Sequence, residues 1–175
     1  HQSVFVDAGT SQTSDGERLA FDGSNDSLML PTALTAALAG GNAITVGCRF
    51  KGTVFQSAVR LQDGQYVILG FGAGTPLAVL ENDGGTVDGL EIAGVEDDAW
   101  HDAYLTWQRN TTNGFKVYVD GVLSVQRDSI DAPLGAFSGA ETPSIGSYDG
   151  VGEFVTGSLQ HVFIAASART ADEIA

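Results

Sequence analysis

The sequence predicts an all-β domain, a sandwich or a barrel, and three observations carry that prediction. Glycine is the first: 23 of the 175 residues are Gly. They show no Gly-X-Y period, so they mark many tight turns and not collagen. The second is a series of short runs in which apolar and polar residues alternate, the period of a strand with one face in a core. The third is how little of the chain shows helical periodicity, which leaves sheets to cover each other. With 43% hydrophobic and 17% charged residues the chain is not disordered, and its length suits one domain over residues 1–175.

The elements follow in order. Arg18–Asp22 and Ser27–Leu30 alternate around the turn residues Gly23-Ser24-Asn25. Pro31–Gly41 has one or two turns of helical propensity and stops at paired glycines. Ile44–Phe50 places Ile44, Val46, Cys48 and Phe50 inward, with Thr45, Gly47 and Arg49 outward. Val54–Gln62 is expected to be one strand, with Phe55, Val59 and Leu61 inward and Gln56, Arg60 and Gln62 outward. Asp63-Gly64 reads as a hairpin turn into Gln65–Phe71. Further strands are expected at Leu77–Glu81, Gly89–Ala93, Trp100–Arg109, Phe115–Asp120, Val122–Gln126, Pro143–Tyr148 and Gly157–Ala165. Asp120-Gly121 joins two apolar strands as a tight hairpin. Thr170-Ala-Asp-Glu173 is a capping box, so a helix begins there. That helix start, and a first residue His1 in place of Met, suggest a module carried within a longer chain.

Charge and composition narrow the function. The formal net charge is −14, which argues against nucleic acid, anionic membranes and heavily sulfated glycans. Lys occurs only at Lys51 and Lys116, and Asp outnumbers Glu. The single Cys48 offers no disulfide framework and reads as a small core residue. No apolar run is long enough to span a membrane. His1, His101 and His161 lack zinc-ligand spacing. There is no Gly-x-Ser-x-Gly elbow. Glu96-Asp97-Asp98 is contiguous and reads as a solvated acidic turn.

Three stretches resemble the bacterial laminin-G-like jelly-roll family of the concanavalin A-like superfamily. They are Leu19-Ala-Phe-Asp-Gly-Ser-Asn-Asp-Ser-Leu28, then Trp100-His-Asp-Ala-Tyr-Leu-Thr-Trp107 with Tyr118-Val-Asp-Gly121, and last Gly157-Ser-Leu-Gln-His-Val-Phe-Ile164 with Ala171-Asp-Glu-Ile-Ala175. Their order and spacing cover nearly the whole chain. The resemblance implies a two-sheet antiparallel jelly-roll sandwich; independently of it, Trp100 and Trp107 are large enough to anchor a core, with direct sugar stacking the alternative. It also implies a structural Ca²⁺ at the Asp22-Gly23-Asn25-Asp26 turn, whose oxygens suit a hard cation. The alternative for that turn is an Asx-rich loop capping its own backbone. Where the family usually has paired acids, this chain has Gln160-His161, so Gln160 could offer only an amide oxygen to the metal.

Relatives with glucanase activity carry a Glu-x-Asp-x-Glu run, and none occurs here. The expected function is therefore a non-catalytic carbohydrate-binding module of a secreted polysaccharide-degrading enzyme. It would be monomeric, extracellular or at the cell surface, and would bind a neutral or weakly charged polysaccharide or oligosaccharide. An adhesion or assembly domain of a surface protein is the alternative, and a hydrolase or lyase a third. Strand parity nominates Arg49, Gln56, Arg60, Tyr104 and Gln108 as ligand-binding residues. Arg49 stands where the family usually has Trp. It would serve either a salt bridge to Glu81 or Glu91, or a fork for sugar hydroxyls or a uronate.

Overall fold

A computed structural model of the chain describes residues 18–54, 57–62, 66–70, 77–81, 87–92, 94–135, 142–147, 152 and 154–174. The strands are β1 (Leu19–Asp22), β2 (Leu28–Met29), β3 (Ala43–Val54), β4 (Val59–Gln62), β5 (Tyr66–Leu69) and β6 (Leu77–Glu81). They continue as β7 (Val87–Glu91), β8 (Trp100–Gln108), β9 (Phe115–Val119), β10 (Val122–Arg127), β11 (Ser144–Ile145) and β12 (Thr156–Ala165). Two short helices, α1 (Thr32–Leu38) and α2 (Ala171–Ile174), fall where the helical propensity and the capping box place them. Thr170 donates its backbone N–H to Glu173 Oε2 at 2.9 Å, the backward bond of a capping box.

Among the described residues the strands form two six-stranded sheets, with orders β1-β12-β3-β8-β9-β10 and β2-β11-β4-β5-β6-β7. Each pairing is antiparallel, as a jelly-roll sandwich requires. The centre of the first sheet is β3 against β8, in register without a slip from Ala43↔Gln108 to Lys51↔Trp100. Its inward residues Ile44, Val46, Cys48, Phe50, Ala103, Leu105 and Trp107 are fully buried. Facing them from the second sheet are Val59, Leu61, Val67, Leu69, Ala78 and Leu80, also fully buried. These apolar faces cannot be left in water, and joining them across the two sheets is what closes the sandwich. Burial pushes the Cys48 thiol up in pKa, so it stays a protonated core group.

The long strand expected at Val54–Gln62 does not form. β3 ends at Val54, and the chain passes to the second sheet before β4 starts at Val59. Ser57 turns within this passage at φ 39°. Alternation continues on both sides of the crossing, which is why periodicity alone reads through it. Phe55, Gln56, Asp63-Gly64 and Tyr148 lie outside the described residues. The Asp120-Gly121 hairpin forms as expected, with both residues at positive φ, 52° and 75°. That pair of angles is the type I′ turn whose twist matches the flanking strands.

Trp107 and Trp100 divide their roles. Trp107 is wholly in the core, whereas Trp100 lies on the outer face of the first sheet, half-buried. Seven residues apart on one strand, they point to opposite faces. The expectation that both anchor the core holds for Trp107 alone.

Because Phe50 is fully buried between the sheets, Phe50→Ala is expected to cost about 3–5 kcal/mol. Urea unfolding, with the slope unchanged and the midpoint lowered, checks it.

Candidate functional site

The site is built on the outer face of the first sheet, from the residues that β3 and β8 turn away from the core. On β3 these are Thr45, Gly47, Arg49 and Lys51; on β8 they are Trp100, Asp102, Tyr104, Thr106 and Gln108. Antiparallel register sets them in rows. One row runs Phe163, Gly47, Tyr104, Tyr118 and Leu123 across five strands. The next runs Gln160, Arg49 and Asp102, and the last Ser158, Lys51 and Trp100.

Gly47 makes the aromatic row possible. A Cβ at this position would stand 2.0 Å from Tyr104 Cδ1 and 2.3 Å from its Cε1. Without that Cβ, the Tyr104 ring leans across β3 toward Phe163 instead of standing upright. An aromatic laid on a sheet in this way offers a surface against which a sugar ring can pack. Burial, and then the negative Asp102, push the Tyr104 phenol up in pKa, so it stays protonated and able to donate.

Arg49 is half-buried and lies over Trp100, its Cζ 5.7 Å from the ring centroid. The guanidinium is attracted by the electron-rich ring face. Its Nε is sealed from solvent and has no hydrogen-bond partner among the described residues. Glu81 and Glu91 stand in β6 and β7 of the second sheet, whereas Arg49 stands in β3 of the first.

One end of this face is covered. Thr45 Oγ1 donates to Ser167 O at 2.7 Å and accepts from Arg169 N at 2.9 Å, so the segment after β12 folds back over Thr45. Thr45 and Thr106 are buried there in spite of their outward parity. Arg169 continues the cover, 5.6 Å from the Phe163 centroid and 2.7 Å from Glu173 Oε1.

Of the ligand-binding residues nominated by parity, Arg49 and Tyr104 come together. Gln108 shares their face but lies beyond buried Thr106, four residues or about 13 Å along β8 from Tyr104. Arg60 does not join them: it stands in β4 of the other sheet and is itself buried, at 6% exposure. The common face expected for Arg49 and Arg60 is therefore absent, since the crossing after Val54 separates them. Gln56 lies outside the described residues. Parity missed Lys51 and Trp100, although both fall on the same alternation as Arg49 and Tyr104. Phe163 was hidden by the β-bulge between Gln160 and Phe163, which breaks the period of β12.

At the turn Asp22–Asp26, the side chains cap their own backbone. Asp22 Oδ1 accepts Ser24 N at 2.8 Å and Asp26 Oδ2 accepts Asp22 N at 2.8 Å. Gln160 does not reach this turn. Asp22 pairs with Thr156, and Gln160 lies four residues further along β12, about 13 Å away, beside Arg49. Among the described residues, no cluster of three or more His, Cys, Asp or Glu side chains could hold a metal.

A second polar feature supports the first. His101 Nδ1 is 2.8 Å from Asp120 Oδ2, and its Nε2 is 3.0 Å from Asp97 Oδ1. Asp120 Oδ1 also accepts the N–H of Asp102 at 2.9 Å. One imidazole thus ties the β7–β8 loop and the β9–β10 turn to the start of β8. The bond to Asp120, opposed by burial and helped by Asp97, raises the His101 pKa. Backbone N–H of Ala99, with His101, holds Asp97 below the usual carboxylate range. At Asp120, burial acts upward but is outweighed by the bonds from His101 and Asp102, so its pKa is lowered. The acidic turn at Glu96–Asp98 is thus more than solvated chain.

The fold and site define a lectin-like jelly-roll sandwich with a polar and aromatic outer face. The chain belongs to the laminin-G family of the concanavalin A-like lectin/glucanases superfamily, whose model matches residues 22–175. No curated protein matches it in sequence. Among solved structures, domains LG4-5 of the mouse laminin alpha1 chain are similar at a TM-score of 0.61 with 12% identity, covering 98% of this chain and 48% of that one. The binding domain of botulinum neurotoxin serotype G gives 0.62 with 9% identity, covering 98% and 43%. The serotype D ligand-binding domain in complex with N-acetylneuraminic acid gives 0.62 with 13% identity, covering 93% and 42%. The chain spans less than half the length of each, and at these identities the likeness is one of fold.

Two predictions follow from the geometry. The His101 pKa is raised above its ordinary 6.5, so its contribution to stability is full below that pH and lost as pH rises through the raised value. The two carboxylates are held below 3.8, so theirs is full above 3.8 and lost as pH falls through the lowered values. The melting-temperature gap between the parent and His101→Gln is expected to be widest between these two pH values and to narrow toward pH ~9. Thermal melts across pH test it. In Gly47→Ala, Tyr104 must be displaced, at a cost of about 1–3 kcal/mol and with altered tyrosine fluorescence.

Proposed function

We propose that the chain is a non-catalytic carbohydrate-binding module, and that its binding face is the outer face of the first sheet around Tyr104 and Arg49. The observation that carries this reading is the Tyr104 ring laid on Gly47 beside the half-buried Arg49–Trp100 pair. Sugars are recognised by this combination, an aromatic surface for the ring's C–H face and fixed polar groups for its hydroxyls. Gln160 and Asp102 flank Arg49 in the same row and add an amide and a carboxylate. Membership in a lectin-like family supports the reading, as does a structural neighbour solved with N-acetylneuraminic acid. The same proposal places the module outside the cell, as part of a secreted polysaccharide-degrading enzyme.

A structural Ca²⁺ at the Asp22–Asp26 turn belongs to this proposal, held by Asp22, Asp26, Asn25 and the Gly23 carbonyl, without Gln160. Asp22 and Asp26 each have one oxygen on the backbone, which leaves the other to face an ion. Chelation with EDTA is then expected to lower the melting temperature, and Asp26→Ala to reproduce that loss. An unchanged melt would leave the turn to its backbone caps alone.

The second reading, an adhesion or assembly domain, is favoured by one observation. Val122 and Leu123 on edge strand β10 are 68% and 42% exposed, an apolar edge suited to protein contact. A glycan array separates the two. Binding to at least one glycan, weakened about tenfold or more by Tyr104→Ala in a folded protein, is expected for the module. Silence across the array favours adhesion. Reducing-end assays on a polysaccharide panel are expected to show no turnover. Activity lost with a single Asp or Glu substitution would overturn the binding-module reading.

A further inference from the structure

The eight Lys and Arg residues of this chain are unevenly placed for a protein of net charge −14. Arg49 and Lys51 on β3 and Lys116 on β9 all project from the outer face of the first sheet. Arg169 joins them over Phe163. Both lysines of the chain are in this group. Strands β12, β3, β8 and β9 together contain one acid, Asp102. In a chain of net charge −14, these four strands hold three cations against one acid, and Arg169 beside them is paired with Glu173.

Arg49 is the centre of this group and has no carboxylate partner among the described residues. Among the described residues it makes neither an ion pair nor a hydrogen bond, and its Nε–H is shut off from water. Trp100 holds the guanidinium from one side only. The carboxylate that feels it electrostatically is Asp120, and both oxygens there are already engaged. Oδ2 is held by His101 and Oδ1 by the N–H of Asp102. Asp102 stands opposite Arg49 in register without pairing with it, and the clamp at the start of β8 keeps Asp120 engaged elsewhere. With Nε sealed, a ligand meets Arg49 at the Nη edge of the half-buried guanidinium, which has no protein acceptor among the described residues. The planar fork of Arg suits a carboxylate, which accepts two parallel N–H bonds.

We propose that this face takes a carboxylate-bearing sugar, a hexuronic or a sialic acid residue, with its carboxylate on Arg49 and its ring against Tyr104. The inference rests on the glycan-binding reading and narrows it from neutral or weakly charged sugars to acidic ones. Lys51, two residues from Arg49 on the same face, adds charge without a second fork. Lys116 contributes attraction at longer range, whereas the charge of Arg169 is already met by Glu173.

Isothermal titration of the parent against galacturonate oligosaccharides, and against the same chains with carboxyls reduced to alcohols, reads the carboxylate directly. Sialyllactose against lactose forms the second arm and separates a sialic from a uronic source. In one arm the acidic sugar is expected to bind about tenfold or more tightly than its neutral twin. Arg49→Gln removes that preference while weak neutral binding remains. Arg49→Lys keeps the charge but loses most of the preference with the fork. Arg109→Gln, a control at the paired Arg109–Asp131 site, leaves it unchanged. Melting curves establish that each variant is folded, and Lys51→Gln, expected to lower the preference in part, serves if Arg49→Gln is not. Equal affinity for acidic and neutral sugars overturns this inference and leaves the glycan-binding reading standing. So does an acid preference that survives Arg49→Gln, or one that Arg109→Gln removes equally. No binding of any sugar by the folded parent overturns both.

Discussion

The pairing of β3 with β8 is the constraint on which the rest of this molecule depends. Nine residue pairs, Ala43↔Gln108 through Lys51↔Trp100, hold without a slip. A shift by one residue would exchange the two faces completely, since side chains alternate along each strand. Ile44, Val46, Cys48, Phe50, Leu105 and Trp107 would move into water, and Arg49, Asp102 and Thr106 into the core. The hydrophobic cost of that exchange, together with buried charge, fixes the register firmly. The same register assembles the candidate site. Core and binding face are two sides of one pair of strands, so whatever secures the first also positions the second.

Around this pair, local devices hold the face in shape. Gly47 gives up a side chain so that the Tyr104 ring can settle on β3. Gly121 and Asp120 adopt positive φ, and their hairpin presents Asp120 to His101. His101 then joins loop, strand and turn through two carboxylates. Its position is informative: parity turns it inward, opposite Phe50, yet at the end of the strand it meets acids and not apolar side chains. The clamp is modest in energy, because Asp97 and Asp120 are exposed and screened by solvent. It also engages both oxygens of Asp120, a carboxylate that feels the charge of Arg49.

The C-terminal segment completes the arrangement. By bonding to Thr45 it covers that end of the face, and with Thr106 also buried the rows of Tyr104, Arg49 and Lys51 are separated from exposed Gln108. The capping box at Thr170 and the Arg169–Glu173 pair fix that segment's end. A face that alternation alone would run unbroken to Gln108 is thereby interrupted at Thr45 and Thr106.

Alternation, turn residues and three ordered motifs were enough to read the all-β fold, most strand positions, the Asp120-Gly121 hairpin and the two short helices, because each rests on local chemistry with a short period. They were also enough to assign Ile44, Val46, Cys48 and Phe50 to the core and Arg49 and Tyr104 to the outside. Sheet membership was not legible. Nothing local distinguishes a strand that continues from one that crosses to the other sheet while keeping its parity, so Arg60 was grouped with Arg49 although it lies in the opposite sheet. The pairing of Asp97 and Asp120 with His101 joins residues whose proximity exists only after β8, β9 and the preceding loop have packed. Gln160 shows the same limit: the sequence determined its strand, and the bulged register of β12 decided that it stands beside Arg49 and far from the Asp22–Asp26 turn. Local periodicity determines which way a side chain points; only the pairing of strands distant in sequence decides what it meets there.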